Sequence, residues 1–247
     1  MTAQSVTEPE PHRAEPPRLL RMPGVRNLRD IGGYRTSDGR TTRWRTLLRS
    51  DALDRLPEPS QAALLDLGLR TVVDLRWPHE VAEAPSVFQH SAAVRYESLP
   101  LLDADPTPEV GLGGTYRHAF DERAPQLADI VRTLLEPDAL PAVIGCAAGK
   151  DRTGVSIALI LSLVGVPNAV IVEDYALSAE VFASDAAGVE LDDWRGSPAE
   201  VDCRPEYMET ALAHLEARHG GARALMARHG VGEQDVARLV ELLTEPA

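Results

Sequence analysis

Short apolar runs alternate along the chain with segments whose apolar residues recur every three or four positions. The runs at residues 71–76 and 141–144 predict buried strands. Residues 60–67, before the first run, have apolar side chains at helical spacing, and Gly68 ends the segment. Helix, glycine and apolar strand in this order are typical of a parallel sheet covered by helices. We therefore expect an α/β fold with a central, mostly parallel sheet flanked by helices.

The remaining chain extends this pattern on both sides. A hairpin turn is expected at residues 37–40, and a break between two helices at Pro125. Residues 205–243 are expected to form a helical C-terminal cover on the sheet, broken at Gly220 and Gly221. The other expected elements are strands at 25–34, 44–49 and 93–101, two helices within 114–135, and a helical unit from 165 to 177.

Length and composition favour one folded domain after a tail. Residues 1–18 are rich in Pro, Glu and small polar side chains, which predicts disorder. Residues 19–247 are expected to form a single domain, because the chain of 247 residues is 44% hydrophobic and can build a real core. Residues 183–202 are acidic and turn-rich, and either fold over a pocket mouth or serve as a connector.

Charge and cysteine content restrict the function classes. A net charge of −13 disfavours nucleic acid and anionic membrane surfaces as partners, so any phosphate affinity must be local. Cys146 and Cys203 are too few for a disulfide framework, which favours a reducing compartment. No signal-like segment or membrane-spanning apolar stretch is present. We expect a cytoplasmic protein without stable membrane insertion, and its Arg-rich, Lys-poor composition suggests a GC-rich bacterial genome.

The chemistry concentrates at residues 145–154, Gly-Cys-Ala-Ala-Gly-Lys-Asp-Arg-Thr-Gly. This segment lies between two apolar runs and predicts a strand, a glycine-bearing turn and a helix start. The unpaired N–H groups and positive dipole end of such a helix bind anions. Arg152 would hold two oxygens of a tetrahedral anion in its planar fork. The same field favours the nucleophilic thiolate form of Cys146.

Other residues of the segment fit this interpretation. Gly149 permits an unusual backbone angle, Gly154 lets the helix pack closely, and Thr153 is expected to donate a hydrogen bond to the sulfur. Lys150 is the only lysine in the chain. An ATP-binding phosphate loop is excluded, because the glycine spacing is too short and Asp151 occupies the position of the magnesium-binding hydroxyl.

The pattern Cys-x-x-Gly-Lys-Asp-Arg-Thr-Gly resembles the signature of cysteine-dependent tyrosine and phosphoinositide phosphatases. It is most similar to the bacterial atypical group that places Lys-Asp directly before the Arg. The patterns Asn-x-Arg-Asp-x-Gly-Gly at 27–33, Arg-Ser-x-x-Leu at 49–53 and Asp-Leu-Arg at 74–76, followed by Glu80, resemble the same group. The resemblance therefore spans most of the chain.

This resemblance implies roles for the loop residues. Cys146 would be the nucleophile that forms a phosphocysteine, Arg152 the transition-state clamp and Asp151 the general acid. Asp103 or Asp105, on an acidic loop upstream of the cysteine, is the alternative acid. No metal or other cofactor is expected, because the loop supplies the positive charge. The substrate-binding residues would be Ala147, Ala148, Gly149, Lys150, Thr153 and Gly154.

Charged residues outside the loop have two interpretations. Arg29, Asp30 and Arg49 either contribute to the electrostatics of the site or form a structural ion-pair network, and we favour the network. Asp74 and Arg76 follow a buried strand, where α/β proteins place their sites, and we expect a supporting role.

The expected function is hydrolysis of phosphomonoesters through a cysteinyl-phosphate. Partners would be a phosphorylated protein or a phosphoinositide, with inorganic phosphate released. Tyr34, Trp77, Tyr116 or Trp194 would line a phosphotyrosine slot, whereas Lys150 would favour a phosphoinositide headgroup.

Two other hypotheses remain. Gly145 stands where the resembling family usually has His, which favours a pseudo-phosphatase that binds phosphorylated ligands without turning them over. Thiol-based arsenate or sulfur transfer would need Cys203 as a resolving cysteine.

Overall fold

A computed structural model of the protein describes residues 16–102, 111–186 and 202–247. Its main sheet has five strands in the order β1-β3-β6-β4-β5. Strands β3, β6, β4 and β5 are parallel, and only β1 pairs antiparallel, with β3. The strands are β1 (Arg29–Asp30), β3 (Leu47–Ser50), β4 (Thr71–Asp74), β5 (Arg95–Ser98) and β6 (Ala142–Gly145). The predicted α/β fold with a central, mostly parallel sheet is confirmed.

Helices cover both faces of this sheet. The chain runs through α1 (Glu58–Asp66), α2 (Pro78–Glu83), α3 (Gly111–Glu122), α4 (Ala124–Leu135), α5 (Asp151–Leu163), α6 (Asn168–Ala186), α7 (Pro205–His219), α8 (Gly221–Arg228) and α9 (Glu233–Leu243). A second, two-stranded sheet pairs β2 (Arg40–Thr42) with β7 (Thr244–Pro246) antiparallel. In the described ranges, no helix combines the length and apolar character that a bilayer crossing requires.

The core lies on both faces of the sheet, because successive strand side chains point to opposite sides. In β6, Ile144 belongs to the larger core under the C-terminal helices, and Val143 belongs to the smaller core under α1. Val73 and Val72 of β4 divide in the same way. Helix α5 is buried along almost its whole length, so its N-terminus is held firmly at the end of the central strand.

The parallel register brings three strand ends together. Gly145 at the end of β6 is paired with Ser50 of β3 on one side and with Asp74 of β4 on the other. The carboxyl ends of these strands therefore form one edge of the sheet, where open α/β folds bind ligands.

Several sequence expectations are confirmed and others need correction. The break between α3 and α4 is present at Arg123, and Pro125 lies in the first turn of α4. The break between α7 and α8 is present at Gly220, and Gly221 begins α8. The strand expected at 25–34 is only Arg29–Asp30, and β7 was not expected. Arg18 was assigned to the disordered tail, but its guanidinium donates to the Asp30 carbonyl at 2.8 Å and lies over Tyr34. Most of segment 183–202 and residues 1–15 lie outside the described residues.

Candidate active site

A loop between β6 and α5 forms the centre of the site. It begins at Cys146, which is buried, and ends at Lys150, directly before the first helical residue Asp151. Gly149 has a φ of +67°, and a Cβ there would lie 2.5 Å from the Asp51 amide nitrogen. The strand, turn and helix predicted at 141–161 are therefore present, and the turn requires glycine at position 149.

The loop carbonyls are held by groups behind the loop. Asn27 donates from Nδ2 to the carbonyl oxygens of Ala148 at 3.0 Å and Gly149 at 3.1 Å. Arg49 donates to the same Gly149 oxygen at 2.8 Å. Because the N–H of the next residue points opposite to the C=O in a trans peptide, these bonds direct the N–H groups of Gly149 and Lys150 away from Asn27.

Two backbone hydrogen bonds also hold carbonyl groups at the loop. The Ala52 amide donates to the Ala147 carbonyl at 3.2 Å, and the Leu75 amide donates to the Gly145 carbonyl at 2.8 Å. Three loop carbonyls, those of Ala147, Ala148 and Gly149, and the carbonyl of Gly145 at the end of β6 thus have fixed partners. The result is a backbone whose N–H groups can face an anion together with the open N-terminus of α5.

Arg152 lies in the first turn of α5, and Glu80 binds the terminal nitrogens of its guanidinium group. Its NH1 and NH2 donate to the two carboxylate oxygens of Glu80 at 2.5 and 2.9 Å. Its guanidinium carbon lies 4.3 Å from the ring centroid of Trp77. Glu80 in turn accepts from the Trp77 amide at 2.6 Å. Glu80 therefore binds both terminal nitrogens of the Arg152 guanidinium group.

Asp174 of α6 joins the two arginines behind the loop. Its carboxylate is 2.5 Å from Arg49 NH1 and 3.3 Å from Arg29 Nε, and it accepts from Tyr34 OH at 2.9 Å. Burial opposes the ionisation of Asp174, but the charges of Arg29 and Arg49 outweigh it and lower its pKa to about 2. The favoured ion-pair network is present for Arg29 and Arg49, with Asp174 as the anion, whereas Asp30 pairs with Arg45 at 3.5 Å instead. Through Arg49 the network also supports the Gly149 peptide.

Asp74 and Arg76 support the neighbouring loop. Arg76 pairs with Asp74 at 2.7 Å and donates to the Ala84 carbonyl at the end of α2 at 2.8 Å. Asp74 also accepts from Tyr96 OH at 2.8 Å. These bonds connect the end of β4 to α2, which carries Glu80. The contacts agree with the expected supporting role.

Asp151 is held on both carboxylate oxygens. Tyr116 OH donates a hydrogen bond to Oδ1, and Lys150 Nζ lies 3.5 Å from Oδ2. Tyr116 OH also lies 2.7 Å from Tyr175 OH. The Asp151 side chain keeps 23% of its surface exposed, whereas Lys150 is 1% exposed and donates to the Asp202 carbonyl at 3.2 Å. Lys150 therefore contacts protein groups in this structure, and its role as a headgroup contact stays a prediction.

Two expectations about the first turn of α5 have different outcomes. The Thr153 hydroxyl is buried and has no hydrogen-bond partner in the part of the chain that the structure describes. The predicted bond from Thr153 to the Cys146 sulfur is therefore wrong. The predicted close packing at Gly154 is present, because a Cβ there would lie 3.1 Å from the Tyr175 ring.

Gly145 lies in crowded surroundings. A Cβ at this position would be 2.8 Å from the Ser50 hydroxyl oxygen and 3.2 Å from the backbone oxygens of Ser50 and Asp51. Any larger residue would therefore require the Ser50 side chain to move. The loop carbonyls are nevertheless fixed without any side chain at position 145.

The remaining candidates are the alternative acids, Trp194 and Cys203. Asp103 and Asp105, the alternative acids, and Trp194 fall outside the described residues. Burial raises the pKa of the Cys203 thiol to about 11, so at neutral pH Cys203 is a protonated thiol. This state does not favour a role as a resolving nucleophile.

Some contacts of the loop leave no signal in the sequence. Asn27, Asp174 and Tyr116 are bound to the loop or to its supporting arginines, although of these only Asn27 belongs to a recognisable pattern, Asn-x-Arg-Asp. Away from the loop, Asp121 Oδ1 lies 2.8 Å from His214 Nε2 and 2.6 Å from His219 Nε2.

The chain matches known proteins along most of its length. A model of the tyrosine phosphatase family matches residues 20–245. A tyrosine-protein phosphatase of Nostoc commune is 28% identical over 212 residues, covering 78% of this chain and 72% of that protein. The triple specificity protein phosphatase PtpB of Mycobacterium tuberculosis is 27% identical over 270 aligned positions, covering 88% of this chain and 96% of that protein.

A crystal structure of TpbA from P. aeruginosa is similar at a TM-score of 0.41 and 22% identity, covering 77% of this chain and 90% of that one. The family match extends from the first strand to the last helix and includes the complete loop with Cys146 and Arg152. The chain therefore belongs to the tyrosine phosphatase family.

Proposed function

We propose that this protein hydrolyses phosphomonoesters, foremost those of phosphotyrosine, through a cysteinyl-phosphate. The observation that supports this most is the set of loop carbonyls bound by Asn27 and Arg49, which directs N–H groups of the loop away from these residues. The same loop connects Cys146 to Arg152, which lies in the first turn of α5. Positive charge that is fixed before the reaction stabilises the transition state without reorganisation.

The proposed reaction has two displacements. The Cys146 thiolate attacks phosphorus, an S–P bond forms, the P–O bond to the leaving group breaks, and Asp151 donates a proton to the leaving oxygen. Water then attacks the cysteinyl-phosphate and gives its proton to Asp151. The S–P bond breaks, inorganic phosphate leaves and the thiolate is regenerated.

Trp77 supports an aryl substrate, because it is half-buried and packs against the Arg152 guanidinium. A phosphoinositide is the alternative substrate, and it would require Lys150 to leave the Asp202 carbonyl. One curated relative is named a triple specificity phosphatase, which supports testing both substrate types. We also propose the cytoplasm as the compartment, since a thiolate nucleophile requires reducing conditions.

The test compares Cys146→Ser with Cys203→Ser, its matched control, on 4-nitrophenyl phosphate, a phosphotyrosine peptide and a soluble phosphoinositide. We expect Cys146→Ser to lose turnover and still bind inorganic phosphate, and Cys203→Ser to keep turnover. Acid quenching of the unsubstituted protein with labelled substrate should place the phosphoryl group on Cys146. Hydrolysis by Cys146→Ser at a normal rate would refute the covalent mechanism. Binding of phosphate with no turnover in the unsubstituted protein would instead support the pseudo-phosphatase.

A further inference from the structure

Tyr116 is a buried phenol in α3 that reaches across to the first residue of α5. Its side chain is fully buried, its hydroxyl donates to Asp151 Oδ1, and the same hydroxyl lies 2.7 Å from Tyr175 OH. The two phenol rings meet edge to face with centroids 5.7 Å apart. A buried hydroxyl with two such partners has a fixed orientation, because breaking either hydrogen bond would leave a buried polar group without a partner.

We propose that Tyr116 is a positioning residue that orients Asp151 for proton transfer to the leaving group. This inference rests on the proposed function, in which Asp151 is the general acid. Since Tyr116 occupies Oδ1, the proton for the leaving group is carried on Oδ2. That oxygen faces the Lys150 side of the carboxylate, at 3.5 Å from Nζ.

The direction of the hydrogen bonds supports this role. Burial, and then the nearby charge of Asp151, raise the pKa of Tyr116 well above its ordinary value, so the phenol keeps its proton. Tyr116 therefore donates to Oδ1, and Tyr175, whose pKa is also raised by burial, is left to donate to Tyr116. Oδ1 thus acts as an acceptor throughout, and only Oδ2 exchanges the proton that moves between the leaving oxygen and the hydrolytic water.

Helix packing holds the two phenols in place. Tyr175 lies against Gly154 so closely that a Cβ at that position would be 3.1 Å from its ring. Helix α3, which carries Tyr116, packs against both α5 and α7. Asp151 is therefore held by Tyr116 of α3, which is in turn held by Tyr175 of α6, although 23% of the Asp151 side chain is exposed.

The test uses the dependence of kcat/KM on the leaving group, because kcat/KM reports the step in which that group departs. Phenyl phosphate releases a strongly basic phenolate and needs the acid, whereas 4-nitrophenyl phosphate releases a weakly basic one. We expect Tyr116→Phe to lower kcat/KM for phenyl phosphate about tenfold, which is the effect of losing one hydrogen bond to a charged group. For 4-nitrophenyl phosphate, we expect kcat/KM to change at most about threefold. Phe keeps the ring, so the α3 packing is preserved.

Two variants make the outcome decisive. Asp151→Asn should show the same selectivity with a larger loss, about 100-fold or more on phenyl phosphate. Tyr96→Phe removes a different half-buried hydroxyl, bonded to Asp74, and should leave the ratio of the two substrates unchanged. If Asp151→Asn lowers kcat/KM equally for both substrates, the general acid is assigned wrongly and the proposed function must change. If Asp151→Asn is selective and Tyr116→Phe is not, Tyr116 is a packing residue and this inference is overturned.

Discussion

The buried carboxylate of Asp174 is expected to be one of the most sensitive positions in this fold. It is 1% exposed and ion-paired to two arginines that are equally buried. In Asp174→Asn, the guanidinium groups of Arg29 and Arg49 would face each other without an anion between them. Such a substitution leaves uncompensated buried charge and is far more damaging than the loss of a surface pair.

The size of the effect follows from the Asp174 pKa. Its value of about 2, compared with an ordinary 3.8, corresponds to about 2 kcal/mol of favourable interaction with the ionised carboxylate. Repulsion between the two remaining arginines adds to this loss. We therefore expect the free energy of unfolding to fall by roughly 3 kcal/mol or more at pH 7, which lowers Tm by roughly 6–12 °C for a chain of this length.

The pH dependence has a definite sign. Because the pKa of Asp174 is lowered on folding, its contribution is fully present above the unfolded value and is lost as pH falls through about 2. The difference between the unsubstituted protein and Asp174→Asn should therefore be largest at neutral pH and shrink in acid. Urea unfolding at several pH values measures it.

Asp129→Asn is the matched control, because Asp129 pairs with Arg132 at 2.6 Å with both side chains about half exposed. A change of at most about 1 kcal/mol is expected there. The Asp174 variant should also lose activity, since Arg49 would no longer be held against the Gly149 carbonyl. If Asp174→Asn and Asp129→Asn lowered the free energy of unfolding equally, the argument from buried charge would be refuted.

Two further predictions concern the support of the loop. Asn27→Asp places a carboxylate against two loop carbonyls that need a hydrogen-bond donor. We expect kcat/KM for 4-nitrophenyl phosphate to fall about 10- to 100-fold. Full activity in this variant would show that these bonds do not shape the loop. Burial raises the pKa of Asp51 to about 6, so its contribution to stability is greatest below its unfolded pKa and is lost as pH rises through 6. Asp51→Asn should remove this slope from the free energy of unfolding between about pH 4 and 6, and an unchanged slope would contradict the assignment.

The residues that perform the proposed chemistry could be found from sequence because they are contiguous. Cys146, Asp151 and Arg152 belong to one strand-turn-helix unit, in which spacing along the chain fixes spacing in space. The parallel sheet was equally accessible, since buried strands and amphipathic helices leave periodic patterns. The C-terminal strand β7 left no such pattern, because its three residues form a strand only by pairing with the distant β2.

What holds this loop in shape was decided only by the tertiary structure. Asn27 lies more than 100 positions before the carbonyls it binds, and Asp174 of α6 reaches Arg49 of β3. An ion-pair network of Arg29, Asp30 and Arg49 is one of two interpretations that the sequence allows, but the sequence does not indicate Asp174 as its anion. Nor could it place Tyr116 against Asp151, because a long-range hydrogen bond depends on how helices pack and leaves no periodic trace. The sequence alone was enough to propose the reacting groups, whereas the folded chain determines how their surroundings orient them.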